Sequence, residues 1–596
     1  MDLHFTNATE TDEERAGVDQ ELGSADVSGQ RHLLLPALHA LQGRVGWISP
    51  GALNYLCRRL TVPPAEAFGV ASFYALFSTT PQPPTVVHVC DDIACKTRGA
   101  DELCAALGDR FGHSGAPSAD GTTTWKRSPC LGLCEHGPAA FCQMAGKGKS
   151  DCSIAPVDVD GVLAILSGKT PTGRKPGGST PQSERVGLPL LSMVGETDAS
   201  SFVDYRSHGG YLALERALAI GTAEVIREVT EAKLSGRGGA AFPAGVKWKA
   251  VAEATALPHY VVCNADESEP GTFKDRVLME ENPFAVIESL TIAGIACGAE
   301  KGYIYIRGEY PEATRVLQHA IDQAREHGLL GAHVASSGLP FDIEIRRGAG
   351  AYICGEETAL LESIEGKRGE PRNKPPFPAQ VGLFGKPTVI NNVETLVNVL
   401  PILTSGSAAF AETGSGMSTG TRLFCLSGCI ERPGVYEIPY GATLRELLEM
   451  AGGVRAGRSL QAILLGGAAG VFVRPDELDM PLTLEGSRAA NATLGSGVVM
   501  VFDDTVDMKS ILVRIAAFFR DESCGQCVPC RVGAVRQEEA LHRLVYGNGS
   551  GDKELALLGE LELVMKDASI CGLGHTAASA VQSAIHRLGV FRGEAP

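Results

Sequence analysis

Tyr260-Val261-Val262-Cys263-Asn264-Ala265-Asp266-Glu267-Ser268-Glu269 opens as an apolar run and closes on three carboxylates. A short apolar run without polar alternation suits a strand buried on both faces, as in a parallel sheet. Three acids so close would ordinarily form a solvated turn. At the carboxyl end of a parallel strand they stand where α/β folds bind ligands, able to accept from ribose hydroxyls or flavin ring groups. Upstream, Leu234-Ser235-Gly236-Arg237-Gly238-Gly239-Ala240-Ala241-Phe242-Pro243-Ala244-Gly245-Val246-Lys247-Trp248 places Gly236, Gly238 and Ala241 in the pattern Gly-x-Gly-x-x-Gly/Ala. Missing side chains let such a backbone approach a phosphate, whose charge the loop amides and Arg237 or Lys247 can balance. Taken alone this loop is a weak signal, because glycine-rich turns are common. Downstream, Gly302-Tyr303-Ile304-Tyr305-Ile306 reads as a second strand, and Ala351-Tyr352-Ile353-Cys354-Gly355-Glu356-Glu357 repeats the theme of glycine, aromatic and paired acid. Lys374-Pro375-Pro376-Phe377-Pro378 forms a rigid turn presenting an aromatic ring, followed by Asn391-Asn392-Val393-Glu394-Thr395. No Ser/His/Asp or Cys/His nucleophile arrangement stands out, which disfavours hydrolysis.

Two sets of cysteines flank this region. Near the C-terminus Cys524, Cys527 and Cys530 are spaced Cys-x2-Cys-x2-Cys, with Cys571 further on. Three thiols on one loop and a remote fourth suit the corners of an iron–sulfur cubane. A structural zinc also accepts four thiolates, but its sites usually show two cysteine pairs. In the N-terminal half, Cys90 and Cys95 are spaced Cys-x4-Cys, and Cys130 and Cys134 Cys-x3-Cys. Two pairs on two loops suit a [2Fe–2S] cluster, each iron taking two ligands, and by spacing alone zinc stays open. The other cysteines are scattered and read as small buried hydrophobes.

The 596 residues allow about four domains. A net charge of −17 without a long Lys/Arg run argues against nucleic-acid binding. No uncharged apolar stretch is long enough to span a bilayer; Pro283 to Gly298 contains Glu288 and reads as a buried helix. The N-terminus has no basic region followed by an apolar core, so a cytoplasmic chain is expected. Residues 1–28 are acidic and poor in aromatics, and a disordered tail is expected there. Leucines at three- and four-residue steps from Leu33 predict helices, and Thr85-Val86-Val87-His88-Val89 predicts a strand delivering Cys90. Residues 168–187 have linker composition. Arg422 to Leu426 and Gly434 to Glu437 predict short strands around one helix, Thr443 to Ala451, and the chain beyond Asp507 reads as helical.

With these motifs in place, the chain resembles the flavoprotein that oxidises NADH in respiratory complex I and its soluble relatives, joined to the small thioredoxin-like [2Fe–2S] subunit that normally accompanies it. The resemblance runs from about residue 30 to the end. It implies an α/β multidomain fold: a helical bundle at 29–80, a thioredoxin-like [2Fe–2S] domain at 81–167, the linker at 168–187, a Rossmann-like FMN/NAD(H) domain at 188–415, a ubiquitin-like (SLBB-type) insert at 416–506 and a helical [4Fe–4S] bundle at 507–596. Cys90, Cys95, Cys130 and Cys134 match the small subunit's ligands in spacing and order; Cys524, Cys527, Cys530 and Cys571 match the [4Fe–4S] ligands. FMN is implied on Gly236, Arg237, Gly238, Lys247, Asn264, Asp266, Glu267, Tyr352, Gly355, Glu356, Asn391, Asn392 and Thr395. NADH is implied over the flavin, with Phe242 and Phe377 near its adenine and Glu269, Glu357 and Lys374 at its polar groups. Ala241 departs from the glycine usual in the family, and Ala250 from an aromatic residue often found near the nucleotide.

These cofactors imply hydride exchange between nicotinamide and flavin, then single-electron exchange with the clusters, with no side chain as acid or base and Glu269 positioning the nucleotide. The acidic residues lean toward NAD over NADP by disfavouring a 2′-phosphate. No second-substrate site is apparent, so a larger complex is expected. The β subunit of a molybdenum- or tungsten-dependent formate dehydrogenase, paired with an iron–sulfur-rich α subunit as a dimer of heterodimers, is favoured. Fused hydrogenase relatives often lack the N-terminal cysteines that are present here. The alternatives are the diaphorase subunit of an NAD-reducing hydrogenase, a complex I-like NADH dehydrogenase module, and a non-catalytic cluster scaffold.

Overall fold

Four parallel strands carry the central region in a computed structural model that describes residues 6–169, 178–182, 188–547 and 551–591. They are β5 (His259–Ala265), β6 (Ala299–Ile306), β7 (Asp342–Arg347) and β8 (Thr388–Asn392), in the order β7-β6-β5-β8. Val261, Val262, Cys263, Ile304, Ile343 and Val389 are fully buried, as an apolar strand covered on both faces requires. The chain steps outward from β5 through β6 to β7, then returns to place β8 on the other side of β5. The order reverses between β5 and β8, and this switch point is where open α/β sheets form a crevice. Register puts Asn391 beside Cys263 and Asn392 beside Asn264. The helix Pro283–Ala296 is buried at every residue, as expected; Glu288 accepts from the Tyr205 hydroxyl (2.6 Å) and the amides of Tyr211 (2.8 Å) and Leu214 (3.0 Å).

The cysteine-bearing units pack around this sheet. β1 (Thr85–Cys90), β2 (Thr123–Ser128), β3 (Ala140–Met144) and β4 (Cys152–Ile154) form a mixed sheet in the order β2-β1-β3-β4. A five-stranded sheet over residues 421–503 carries the expected helix, Leu444–Met450, fixed by a capping box between Thr443 and Glu446, and a second, unexpected one, Leu484–Ala489, capped by Thr483. The chain from Met508 forms the helices Met508–Glu522, Val528–Tyr546, Gly551–Ala568, Gly572–Thr576 and Ser579–Arg587. Among the described residues no helix is long and apolar enough to cross a membrane.

Two expectations need correction. Residues 1–5 of the supposed disordered tail lie outside the described residues, but Asp12–Leu22 is a helix. Thr11 and Glu14 form a capping box, three acids occupy the first turn where the helix dipole favours them, and Val18 and Leu22 join the core. Composition suggested disorder because those acids are cap and first-turn residues. Of the 168–187 linker, 170–177 and 183–187 lie outside the described residues, whereas 178–182 is docked. Ser179 is fully buried: its hydroxyl donates to Glu135 (2.7 Å) and its carbonyl accepts from the Val435 amide (2.7 Å). Gln182 exchanges hydrogen bonds with the Glu437 backbone at 2.9 and 3.1 Å.

Candidate functional site

The glycine loop is closed by two backbone bonds, Gly236 amide to Phe242 carbonyl and Ala244 amide to Leu234 carbonyl, both 2.9 Å. It leans on the end of β8: a Cβ at Gly238 would stand 3.2 Å from the Asn392 Cβ, and the Arg237 amide donates to Thr395 Oγ1 (2.8 Å). Ala241 holds φ +54°, a left-handed conformation that glycine adopts without cost. Opposite, the Asn264 amide group donates to the Gly355 carbonyl (2.9 Å). Asp266 follows β5, and burial pushes its carboxyl well above the usual range; its Oδ2 is buried without a protein partner. A Cβ at Gly355 would stand 3.6 Å from that oxygen. An orphaned acceptor facing a glycine cradle at the switch point fits a polar planar ligand such as a flavin.

Two residues expected to face that ligand by their side chains do not. The Arg237 guanidinium is fully buried in the opposite direction. It donates to Ser235 (2.9 Å), the Tyr440 hydroxyl (2.7 Å) and the carbonyls of Thr419 (2.8 Å) and Thr421 (3.3 Å), with the Tyr440 ring centroid at 4.7 Å. It braces the loop against the neighbouring β unit, and Lys247 is left as the loop's cation. The Glu267 carboxylate accepts from the amides of Asp275 and Arg276 (both 2.9 Å), Thr272 (3.0 Å) and Tyr310 (3.2 Å). It starts the helix Lys274–Glu281, so only its backbone adjoins the crevice. Asn391 accepts from the Trp248 indole (2.8 Å), and Asn392 donates to Asp275 (2.6 Å), so both hold the crevice wall.

Of the outer residues, Lys247, Lys374, Glu356 and Glu357 are drawn together. Phe242 and Phe377 are exposed. Lys374 Nζ donates to Glu356 (2.7 Å) and Glu357 (2.8 Å), and Lys247 Nζ to Glu357 (3.1 Å). Glu269 accepts from the Tyr352 hydroxyl and the Ala469 amide (2.8 Å), and burial pushes its carboxyl up to about 7. The Tyr352 amide donates to Glu522 (2.8 Å), two residues before Cys524. One aromatic residue therefore touches both the crevice acids and the C-terminal cysteine loop, and its ring meets Phe518 at 5.0 Å.

Cys90, Cys95, Cys130 and Cys134 are buried with their thiols mutually close; Cys130 and Cys134 sulfurs are 3.3 Å apart. Cys524, Cys527, Cys530 and Cys571 also face one another, Cys527 and Cys571 immediately preceding the helices Val528–Tyr546 and Gly572–Thr576, and burial pushes the Cys571 thiol up to about 11. Among the described residues no three His, Cys, Asp or Glu side chains close around a single ion; the fit of each set rests on four free, converging thiols. The other cysteines are buried apart from Cys152.

The sequence reading missed the arginines that hold these parts together. Arg307 donates to the carbonyls of Glu267 (2.8 Å) and Cys130 (2.7 Å), joining crevice and N-terminal cysteine loop. Arg276 is ion-paired with Glu135, beside Cys134, and donates to the Gly132 carbonyl (2.9 Å). Arg514 reaches Asp92 (3.3 Å). Arg307 directly follows β6, which was the available signal there; Arg276 and Arg514 lie inside helices, and the partners of all three lie too far along the chain to be read.

Models of known families match every unit. The Nuo51 FMN-binding domain matches residues 229–401, the thioredoxin-like [2Fe–2S] ferredoxin 20–155, the SLBB domain 423–468, and the NADH-ubiquinone oxidoreductase-F iron-sulfur binding region 510–592. The second F-type subunit of NADH-quinone oxidoreductase from Rhizobium meliloti is 46% identical over 411 residues, 68% of this chain and 96% of its own length. The chain belongs to the F-type subunit family of NADH-quinone oxidoreductases. The HndC subunit of the NADP-reducing hydrogenase of Solidesulfovibrio fructosivorans is 43% identical over 390 residues, 65% of this chain and 79% of its own. The crystal structure of an NAD+-reducing [NiFe]-hydrogenase in the H2-reduced state matches with a TM-score of 0.81 at 32% identity, covering 96% of this chain and 93% of that one. This F-type homologue is thus an NADH-oxidising flavin and iron–sulfur subunit, with FMN, one [2Fe–2S] and one [4Fe–4S] cluster as its cofactors.

Proposed function

We propose that the chain is the NAD-facing β subunit of a cytoplasmic molybdenum- or tungsten-dependent formate dehydrogenase, assembled with an iron–sulfur-rich catalytic subunit as a dimer of heterodimers. FMN, when bound, supplies the exchange between a two-electron hydride donor and one-electron clusters. The protein's own work is positional. The backbone of Gly236 to Gly238, Lys247, Asn264, Asp266, Tyr352, Gly355, Glu356 and Thr395 line the flavin crevice, with Asn391 and Asn392 behind it. Phe242 and Phe377 offer exposed rings to a nucleotide base, while Lys374 holds Glu356 and Glu357 together at its polar edge. Glu269, fixed by Tyr352 and the Ala469 amide, presents its carboxylate to the nucleotide. Cys90, Cys95, Cys130 and Cys134 ligate the [2Fe–2S] cluster, and Cys524, Cys527, Cys530 and Cys571 the [4Fe–4S] cluster.

The observation that carries the electron-transfer reading is Tyr352, whose hydroxyl meets Glu269 and whose amide meets Glu522 beside the cysteine loop. The formate reading rests on the four intact N-terminal thiols, often missing from fused hydrogenase relatives. A hydrogenase diaphorase is the second reading, favoured by the similarity across 96% of the chain to an NAD+-reducing hydrogenase structure. Isolating the native complex anaerobically through a tag on this chain, and measuring NAD+ reduction with formate and with hydrogen, separates them. Formate-driven reduction is expected. Hydrogen-driven reduction alone would reassign the partner and leave the site reading intact.

A further inference from the structure

Two cysteines outside both cluster sites face each other across neighbouring strands. Cys142 on β3 and Cys152 on β4 are directly opposite in antiparallel register. Directly opposed residues in such a pair have Cα atoms about 4.5–5.5 Å apart, within the roughly 4.4–6.8 Å that a disulfide requires. Both side chains therefore leave the sheet on the same face, and the register places them within the span of a cross-strand disulfide. Both thiols are free.

The two differ in a way that assigns them roles. Cys142 is fully buried, whereas Cys152 is partly exposed on the edge strand. Cys152 lines a cavity of about 560 Å³ beside Arg315 and Arg347, roomy enough for a small thiol compound. The neighbouring Cys152 thiol and burial push Cys142 up, while the neighbouring Cys142 thiol draws Cys152 below the usual thiol range. Burial disfavours the charged form more at Cys142 than at the more exposed Cys152, so Cys152 is the better thiolate, and the thiolate is the species that attacks a disulfide.

We propose that Cys142 and Cys152 form a thiol–disulfide exchange site, in which Cys152 attacks a low-molecular-weight disulfide and Cys142 resolves the adduct. The Cys152 thiolate forms a bond to one sulfur of the small disulfide, whose S–S bond breaks and expels one thiolate. The Cys142 thiol, losing its proton, then bonds to the Cys152 sulfur and expels the second small thiol. The protein gives up two electrons and both thiol protons, and the small disulfide is reduced to two thiols. The product is a cross-strand bond that pins β4. That strand also carries the Ser153 hydroxyl, which donates to the Glu309 carbonyl (3.1 Å), and follows Asp151, which is paired with Arg347 (2.7 Å). The bond would therefore lock an edge through which the N-terminal sheet touches the flavin domain.

The cluster-loaded full chain, handled anaerobically, is incubated with oxidised glutathione, alkylated and mapped by mass spectrometry. The wild-type protein is expected to lose alkylation at both residues and to yield a linked Cys142–Cys152 peptide lacking both thiol hydrogens, reversed by dithiothreitol. Cys142→Ser should instead retain one glutathione on Cys152, and Cys152→Ser should yield neither product. Undiminished alkylation of both residues in the wild type would overturn the proposal, as would glutathione persisting on wild-type Cys152. The wild-type mapping decides the matter even if a serine variant folds poorly.

Discussion

Arg276 and Glu135 offer the sharpest test of how the N-terminal cysteine loop is held to the flavin domain. Their side chains are 1% and 0% exposed. Removing the guanidinium takes from Glu135 its buried ion-pair partner, with the Ser179 hydroxyl at 2.7 Å and His136 at 3.6 Å among the neighbours that remain, in a medium that solvates a carboxylate poorly. Breaking one side of such a buried pair costs about 3–5 kcal/mol, whereas replacing both sides with apolar residues is often close to neutral. Arg276→Met is therefore expected to loosen the interface by about 3 kcal/mol, and the double variant Arg276→Met/Glu135→Leu by clearly less than the sum of the singles. A chain with several domains does not unfold in one step, so global melting is the wrong readout. Hydrogen exchange of peptides covering 130–136 and 274–281 reads the local opening instead. A loss of about 2.8 kcal/mol is a hundredfold in the opening equilibrium, so exchange should accelerate roughly a hundredfold in the single variant. Acceleration below about threefold, or strict additivity in the double variant, would refute the assignment of this pair as the interface anchor.

Three further outcomes follow from individual residues. Ala241→Gly relieves a left-handed conformation costing about 1–2 kcal/mol and adds back about 0.5–1 kcal/mol of backbone entropy, so a net gain of roughly 0.5–1 kcal/mol should appear as later flavin release on heating. Glu269→Gln should raise the KM for NADH about tenfold at unchanged flavin content, and an unchanged KM would remove Glu269 from the nucleotide site. Glu437, buried against the amides of Leu190 and Leu191, has its carboxyl pushed from 4.5 up to about 7 by burial. Since the folded value lies above the unfolded one, its contribution is complete below pH 4.5 and lost as pH rises through 7, amounting to roughly 3 kcal/mol. Glu437→Gln should flatten that slope in hydrogen exchange of residues 434–439, and an identical pH profile in both proteins would sink the reading.

Much of the fold could be read because its signals are local. The apolar run before Asp266 forms β5 as expected, and Glu288 inside an apolar stretch correctly marked a buried helix with an internal partner. The cysteine spacings grouped the thiols that share a loop, and the fold brings these groups together: Cys130 and Cys134 beside Cys90 and Cys95, and the remote Cys571 beside the Cys524 loop. What could not be read depends on partners far away. The direction of the Arg237 guanidinium is decided by Tyr440 and two carbonyls nearly two hundred positions downstream. The Glu267 carboxylate looked available because nothing nearby in sequence announces that the amides of Asp275 and Arg276 will fold back onto it. The helix Asp12–Leu22 was hidden by its own caps, whose acidity resembles that of an unstructured segment.

Ser179 touches Glu135 with its hydroxyl and Val435 with its carbonyl, so the crossing between the two halves of the chain is fastened at its midpoint. Covalent fusion already makes meeting of the two halves an intramolecular event, independent of how dilute the protein is. The fastening removes most of the remaining search, because the halves need not find each other anew after every small fluctuation. A two-chain version of the same machine would shed its N-terminal redox unit at low copy number. This one keeps a fixed one-to-one stoichiometry at any concentration, and its redox centres stay in register from the moment the chain folds.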